Sequence, residues 1–465
     1  MMNIALIYPG NKRLGPVPLG IISLSAFLRQ RGIDPRVINF DGVIDFDKEL
    51  DRCFSNYAPD VVGITTYTSP SLERVVTIVH HIKRRFTGAK IVLGGVHASI
   101  FAEDIIKELP VDVVVIGEGE ESLWELINAF SAGSDLSSVC GIVYKEGSVL
   151  VRTNMRLPIA DINLLPRPDW EKIDISGQYY VYLIESRGCP FSCSFCYNAL
   201  HKDYRTKSVD TVIKDFRYLY DTYRIGVIKF WDDLPFGGSK KLMIEFCDRL
   251  IREKIKIMWS SFARHEMINR EVVDAMVRAG CFRIAIGVES GSPNMLNLLN
   301  KKTNPDVYKN AFNILGKFDI ISVANFMIGL PGETEEDLSK SIRLARELMA
   351  VEYFAVNFKP YAGTELYKIC LGRGFIPPKS TLEWSKITDF FDFKFNFSNV
   401  GSDTLKAASR TIMSMQNVPK LRKVMLRVAW HSFKLNPYLE INKIVRLMNN
   451  RLNIAVDNLL TRKQL

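Results

Sequence analysis

Three thiols crowd into eight positions of the run Arg187-Gly188-Cys189-Pro190-Phe191-Ser192-Cys193-Ser194-Phe195-Cys196, a C-x3-C-x2-C spacing. A chain of this cysteine content produces that spacing by chance about 0.002 times, so the cluster carries chemistry. A four-iron cluster normally takes four thiolates, and three leave one iron free to bind a small molecule. The spacing alone leaves a second possibility, a zinc site completed by His201, since three Cys and one His are a legitimate zinc set. Zinc modules more often pair C-x2-C units. The remaining cysteines (Cys53, Cys140, Cys247, Cys281 and Cys370) are scattered, so neither a second cluster nor a disulfide scaffold is expected.

A loop of this kind must hang from a strand, and the surrounding sequence supplies strands at regular intervals. From Pro166 to about Phe358 the strand candidates are Val181 to Ser186, Val227 to Trp231, Ile257 to Phe262, Arg283 to Val288, Val323 to Ile328 and Phe354 to Phe358. Six such βα units predict a partial barrel whose chemistry sits at the C-terminal ends of its strands. Before it, Ile4 to Tyr8, Pro35 to Phe40, Val61 to Thr65, Lys90 to Gly94 and Val111 to Ile116 alternate with helical patterns and predict a parallel doubly wound sheet. Three loops on one rim of that sheet are rich in small, hydrogen-bonding residues: Thr66 and Ser69 in the first, Gly94, Gly95 and His97 in the second, Gly117, Glu118 and Gly119 in the third. Together they outline a cofactor crevice. The sequence thus predicts an α/β protein, with a Rossmann-like domain over residues 1–150, a proline-bearing linker over 151–178, a partial (β/α)6 barrel over 179–375 and a helical C-terminal region over 376–465.

The chain has 465 residues, 47% apolar and 24% charged, which fits large buried cores and excludes a mainly disordered protein. No stretch approaches the ~20 apolar residues needed to span a bilayer. The first residues, Met2-Asn3-Ile4-Ala5-Leu6-Ile7-Tyr8-Pro9, read as a buried strand rather than a charged leader, so a cytoplasmic location is expected.

Taken in order, the motifs resemble the radical S-adenosylmethionine (radical SAM) superfamily: the cysteine run with aromatic Phe195 before its last thiol, then Asp232-Asp233, Arg264, Gly287-Val288-Glu289-Ser290-Gly291 and Gly329-Leu330-Pro331-Gly332-Glu333, each ending a successive strand. The resemblance implies a 4Fe-4S cluster on Cys189, Cys193 and Cys196, with the methionine ammonium held by Asp232 and Asp233, its carboxylate by Arg264, the ribose by Glu289 and the adenine near Phe195 and Gly329. These pairings match charge to charge, a guanidinium being able to bind a carboxylate in bidentate fashion. A strict G-x-I-x-G-x-x-E is absent, and Asp-Asp stands where Gly-Gly-Glu is usual. The N-terminal loops resemble the cobalamin-binding domain fused to one branch of that superfamily, over about residues 3 to 370. No D-x-H-x-x-G is present, so cobalamin is expected without a protein His below the cobalt, and His97 reads as a hydrogen-bonding residue.

What the resemblance implies is reductive cleavage of S-adenosylmethionine, hydrogen abstraction from an unactivated carbon, and C-methylation of that sp3 carbon through methylcobalamin, with an external electron donor. The alternatives are cyclisation, rearrangement or carbon-carbon coupling by the same radical, and a noncatalytic cobalamin-binding regulator. The substrate, whether small molecule, lipid or protein, is not legible.

Net charge is +10, and the last 50 residues hold ten Lys and Arg against two Asp and Glu, leaving about +2 for everything before them. Leu421, Val424, Met425 and Val428, and then Ile441, Ile444, Val445 and Met448, recur at helical spacing with basic residues beside them. These amphipathic helices are expected either to pack on the barrel or to reach an anionic membrane surface. With no aromatic-basic interleaving, nucleic acid is not an expected partner.

Overall fold

A computed structural model of the chain describes residues 2–11, 18–175, 178–197, 203–387 and 391–436. It divides into two compact units, Met1–Asp174 with Ile376–Asp389, and Ile175–Phe375 with Phe390–Leu465.

The first unit is built on strands β1 (Ile4–Tyr8), β2 (Arg36–Asn39), β3 (Val61–Thr65), β4 (Lys90–Gly94), β5 (Val113–Val115), β6 (Ile142–Glu146) and β7 (Val149–Arg152), ordered β2-β1-β3-β4-β5-β6-β7. β1 to β5 are mutually parallel. Runs such as Ile4-Ala5-Leu6-Ile7 are buried throughout because helices cover both faces. β1 lies between β2 and β3, so the strand order reverses there and the loop after β3 opens at the switch point. The sequence predicts a parallel sheet, and the sheet departs from that at one edge. β6 and β7 form an antiparallel hairpin on its edge, because two short alternating runs flank the two-residue turn Gly147-Ser148, with Gly147 at φ +60°. Val149–Arg152 is therefore strand where a linker was expected to begin.

The second unit holds β8 (Val181–Leu183), a two-residue ribbon of β9 (Ser186–Arg187) and β10 (Arg205–Thr206), and then β11 (Val227–Phe230), β12 (Met258–Ala263), β13 (Cys281–Glu289), β14 (Ile321–Ile328) and β15 (Glu352–Asn357). Six parallel strands follow one another in the order β15-β14-β13-β12-β11-β8, an open barrel. Helices after five of these strands start on side-chain caps: Ser239 after β11, Asn269 after β12, Asn304 after β13, Thr334 after β14 and Thr364 after β15 each accept from an amide of the first turn. Each cap stabilises its helix by roughly 1 kcal/mol. Along the strands, fully buried residues under the helices alternate with half-buried ones such as Gly287, Glu289, Asn325, Met327, Phe354 and Val356, which line the concave face.

The helix Val418–Leu435 packs Leu421, Val424 and Val428 against Val227, Met258 and Val323, at the starts of the barrel strands. The fit is close, since a Cβ on Gly226 would lie 2.9 Å from Ser432 Cα. Part of its basic face is engaged in the same packing: Lys420 donates to the Phe318 carbonyl, and Lys423 and Arg427 pair with Asp319. The second basic helix expected around Ile441 to Met448 lies outside the described residues. Among the described residues no helix is long and apolar enough to cross a membrane.

Leu421 is 2% exposed and Leu426 on the same helix is 50% exposed. Replacing Leu421 by Ala should destabilise the protein by about 2–4 kcal/mol through an unfilled cavity, whereas Leu426→Ala should stay within about 0.5 kcal/mol. Urea unfolding curves of the two variants check the contrast.

Candidate active site

The cysteine loop leaves the barrel directly after β8. Its first anchor is Asp232, whose Oδ1 accepts from the amides of Glu185 (2.8 Å) and Ser186 (2.6 Å) and from the Ser186 hydroxyl (2.8 Å). Those bonds end β8 at Leu183, short of the expected Ser186. Beside them the buried Glu185 accepts from the Phe236 amide and the Thr206 hydroxyl. Burial raises the Asp232 pKa from 3.8 to about 7 against the pull of its hydrogen bonds. Burial and the neighbouring Asp232 charge push Glu185 up as well, so the pair is held partly protonated.

Asp232 is thus a brace with 3% exposure, and the sequence expectation that it faces the methionine ammonium is revised: the exposed residue of the pair is Asp233. Asp233 lies near enough to raise the thiols of Cys189 and Cys196. Cys189, Cys193 and Cys196 are all half-buried. Burial pushes Cys196 up to about 12, with Asp233, the two other thiols and Glu289 adding to it.

Arg264, just after β12, reaches into this loop. Its guanidinium lies 3.7 Å above the Phe191 ring, with Nη1 3.8 Å from Cys193 Sγ and Nη2 donating to the Lys301 carbonyl at 3.0 Å and to Glu266 at 2.9 Å. Glu289 ends β13 with φ +65°, and its Oε1 is 3.3 Å from Lys301 Nζ. Phe195 packs beside Leu299, Leu330, Phe358 and Leu366, anchoring the loop to the barrel end. Gly329 has φ +74°, and a Cβ there would meet Asn357 Oδ1 at 2.3 Å, so no other residue fits. Its amide donates to Glu333, a wholly buried carboxyl that burial raises to about 7. Inside the barrel, Trp231 is 51% exposed and packs edge-on to Tyr182 (4.6 Å) and Phe262 (6.2 Å).

In the first unit the rim residues are tied to one another. Thr66 donates to the Gly94 carbonyl and accepts from the Ala98 amide; Ser69 pairs with Ser71; the Gly117 amide donates to Ser99; Glu118 accepts from the Ile159 amide. Gly95 has φ +92° and its missing side chain lets the Thr66 carbonyl approach, while Gly119 opens the helix Glu120–Ala132. His97 lies in the short helix Val96–Ile100 rather than in a rim loop. It is fully buried, Nδ1 is 3.0 Å from the Thr68 hydroxyl, and burial lowers its pKa to about 4, so the ring is neutral. Trp384 stands 6.5 Å from that ring and 4.8 Å from Phe101, on a segment held by Thr381 donating twice to Glu108. Sequence reasoning passed over Trp384, Glu185 and Lys301, and quoted Gly287 in a motif without giving it a role. For Glu185 the signal was present, a lone carboxylate inside an apolar strand.

Residues 183–345 match the Radical SAM superfamily and residues 15–127 the B12 binding domain. An uncharacterized methyltransferase of Pyrococcus horikoshii, PH0819, is 31% identical over 407 residues, which cover 83% of this chain and 86% of the relative. The chain belongs to the cobalamin-binding radical SAM enzymes. The anaerobic magnesium-protoporphyrin IX monomethyl ester cyclase of Rubrivivax gelatinosus is 30% identical over 348 residues, 71% of this chain and 62% of that enzyme. A solved structure of the radical SAM methyltransferase TsrM from Kitasatospora setae shares the fold, with a TM-score of 0.70 at 19% identity over 79% of this chain and 75% of that one.

The cofactors of a radical SAM enzyme with a B12 binding domain are a 4Fe-4S cluster, S-adenosylmethionine and cobalamin. The residues present fit them. Among the described residues no three His, Cys, Asp or Glu side chains close on one point as a single-metal site. A cluster instead takes each thiolate on a different iron, and three half-buried thiols on one short loop beside a guanidinium are the donor set it needs. In the first unit the rim after β3, β4 and β5, with Gly94, Gly95, Gly117 and Gly119, leaves backbone uncovered by side chains at the C-terminal ends of the strands, where a cofactor would lie.

The braced carboxyl makes a pH prediction. A group whose pKa is raised on folding favours the folded state most below its unfolded value, and the contribution is lost as pH rises through the folded value. For Asp232 that window runs from 3.8 to about 7. Asp232→Asn keeps an acceptor for the three donors and cannot ionise, so its urea midpoint should fall less than that of the wild type between pH 4 and pH 8. Parallel pH profiles would show that Asp232 is not protonated in the folded protein.

Proposed function

We propose that this protein is a cobalamin-dependent radical SAM C-methyltransferase acting on an unactivated sp3 carbon. The observation that carries the reading is the cysteine loop with Arg264 drawn onto Cys193, at the open end of the barrel, in a chain that aligns over most of its length with a methyltransferase. When bound, the cofactors supply a reducing electron, a hydrogen-abstracting adenosyl fragment and a transferable methyl group.

The protein's own residues bind, orient and exclude water. Cys189, Cys193 and Cys196 hold the cluster. Arg264, stacked on Phe191 with Nε and Nη2 held by Glu266 and the Lys301 carbonyl, would take the methionine carboxylate through Nη1, and Asp233 would take the ammonium. Glu289 takes the ribose hydroxyls, and the Gly329 turn with Phe195 borders the adenine. The rim of Thr66, Ser69, Gly94, Gly95, Gly117, Glu118 and Gly119 would cradle cobalamin, and neutral His97, enclosed by Phe101 and Trp384, would support that rim. Trp231, Phe262, Met327 and Val356 keep water from the carbon to be modified, which a radical intermediate requires.

The cyclase relative supports a second reading, in which the same radical closes or couples carbon skeletons without methyl transfer. Anaerobically reconstituted protein incubated with S-adenosylmethionine, hydroxocobalamin and dithionite separates the two. C-methylation predicts both S-adenosylhomocysteine and 5′-deoxyadenosine, and Cys193→Ala should reduce 5′-deoxyadenosine to background. Formation of 5′-deoxyadenosine alone favours the second reading, and formation of neither product excludes both.

A further inference from the structure

Lys301 is 5% exposed, and a buried ammonium persists only beside a compensating charge. The compensating charge is Glu289, at 3.3 Å. Glu289 is itself unusual: a non-glycine residue at φ +65°, a strained conformation that survives only where its surroundings enforce it. The pairing of β13 with β14 slips between Gly287 and Glu289, which re-aims the last side chain of the strand. The carboxylate then folds back over Gly287, where a Cβ would stand 2.2 Å from Glu289 Oε1 and 3.3 Å from Lys301 Nζ. Glycine at 287, a left-handed Glu289 and a buried Lys301 are therefore one arrangement.

The same short segment holds two other parts of the site. The Lys301 carbonyl accepts from Arg264 Nη2, the other end of which approaches Cys193. Just before it, the Leu298 and Leu299 carbonyls accept from the Ser194 hydroxyl and amide, and the Asn300 side-chain amide donates to the Ser192 carbonyl at 2.7 Å. Asn300 and Lys302, on either side of Lys301, both have φ +50°. Three left-handed non-glycine residues within one cluster mark a backbone constrained for a purpose beyond closing a turn.

We propose that Lys301 is a positioning residue for S-adenosylmethionine, its ammonium fixing the carboxylate of Glu289 and its carbonyl fixing the guanidinium of Arg264, so that the ribose and methionine ends of the ligand are set by one residue. The inference rests on the roles given to Glu289 and Arg264 above. It explains why a lysine is buried at a mouth already lined with thiols and Asp233: without it, the Glu289 carboxylate would be repelled from them.

The test is equilibrium dialysis of S-adenosylmethionine against cluster-reconstituted full-length protein, with iron content and the rate of S-adenosylmethionine cleavage measured in parallel. Lys301→Met should weaken binding by at least about tenfold, with iron content unchanged and the saturated cleavage rate within about threefold, and Lys301→Arg should recover most of the affinity. Gly287→Ala, with Lys301 intact, should show the same loss, and it serves if Lys301→Met does not fold. Wild-type affinity in either variant overturns the proposal, as does loss of iron in parallel with loss of binding, which would make Lys301 a support of the cysteine loop only. If the wild type binds S-adenosylmethionine and Lys301→Met binds it equally, the role of Lys301 alone falls; if the wild type binds none, the reading of the whole site falls with it.

Discussion

One oxygen of Asp232 takes three hydrogen bonds from the two residues at which the first barrel strand gives way to the cysteine loop. From Gly188 to Tyr197 that loop has no helix or strand of its own, so its backbone groups need partners from elsewhere. Asp232 after β11 fixes the root of the loop at Glu185 and Ser186, and within the loop partners come from the Leu299 carbonyl and the Asn300 side chain after β13 and from the Leu366 amide after β15, which donates to the Ser194 carbonyl. A loop tied to that many strand ends holds its three thiols in register only while the barrel is whole. The site and the fold are thus one cooperative object, and the thiols can remain half-exposed without being loose.

That arrangement concentrates negative charge. Three thiols, Asp233 and Glu289 meet at one end of the barrel, and each raises the cost of ionising Cys196. Two kinds of compensation are visible. Glu185, Asp232 and Glu333, which serve only as acceptors for backbone and hydroxyl donors, are buried deeply enough to be held partly neutral. Arg264 and Lys301 supply positive charge at the surface the ligand meets. The negative charge at that end of the barrel is therefore met by the cations of Arg264 and Lys301, while the buried carboxyls carry less than a full charge each.

The strands were legible because parallel strands covered on both faces are continuous apolar runs, and each barrel strand appears within a few residues of its expected place. The cysteine triad stood out by its spacing alone, whereas Arg264, Glu289 and Gly329 were picked out only by the family resemblance; the structure places Arg264 beside Cys193, Glu289 at the end of β13 and Gly329 just after β14. The β6-β7 hairpin was missed because its runs are short and half polar. Asp232 was misplaced for a reason of geometry: adjacent residues after a strand point in opposite directions, and sequence cannot say which of two aspartates turns inward. Lys301 was illegible because what gives it a role is a glycine fourteen positions earlier and a backbone angle, neither of which has a spacing signature.

Part of the charge concentrated near the C-terminus, the part on the helix Val418–Leu435, has a structural use. The helix Val418–Leu435 closes the end of the barrel opposite the cysteines, and its Lys420, Lys423 and Arg427 engage Phe318 and Asp319 there. A six-stranded open barrel lacks the closure that would otherwise keep its floor dry. Basic side chains are suited to the closing helix because their aliphatic stems extend the apolar packing while their ends reach carbonyls and a carboxylate beyond it. Dryness on the concave face, which radical chemistry needs, then depends on residues at the far end of the strands as much as on the aromatic wall of Tyr182, Trp231 and Phe262.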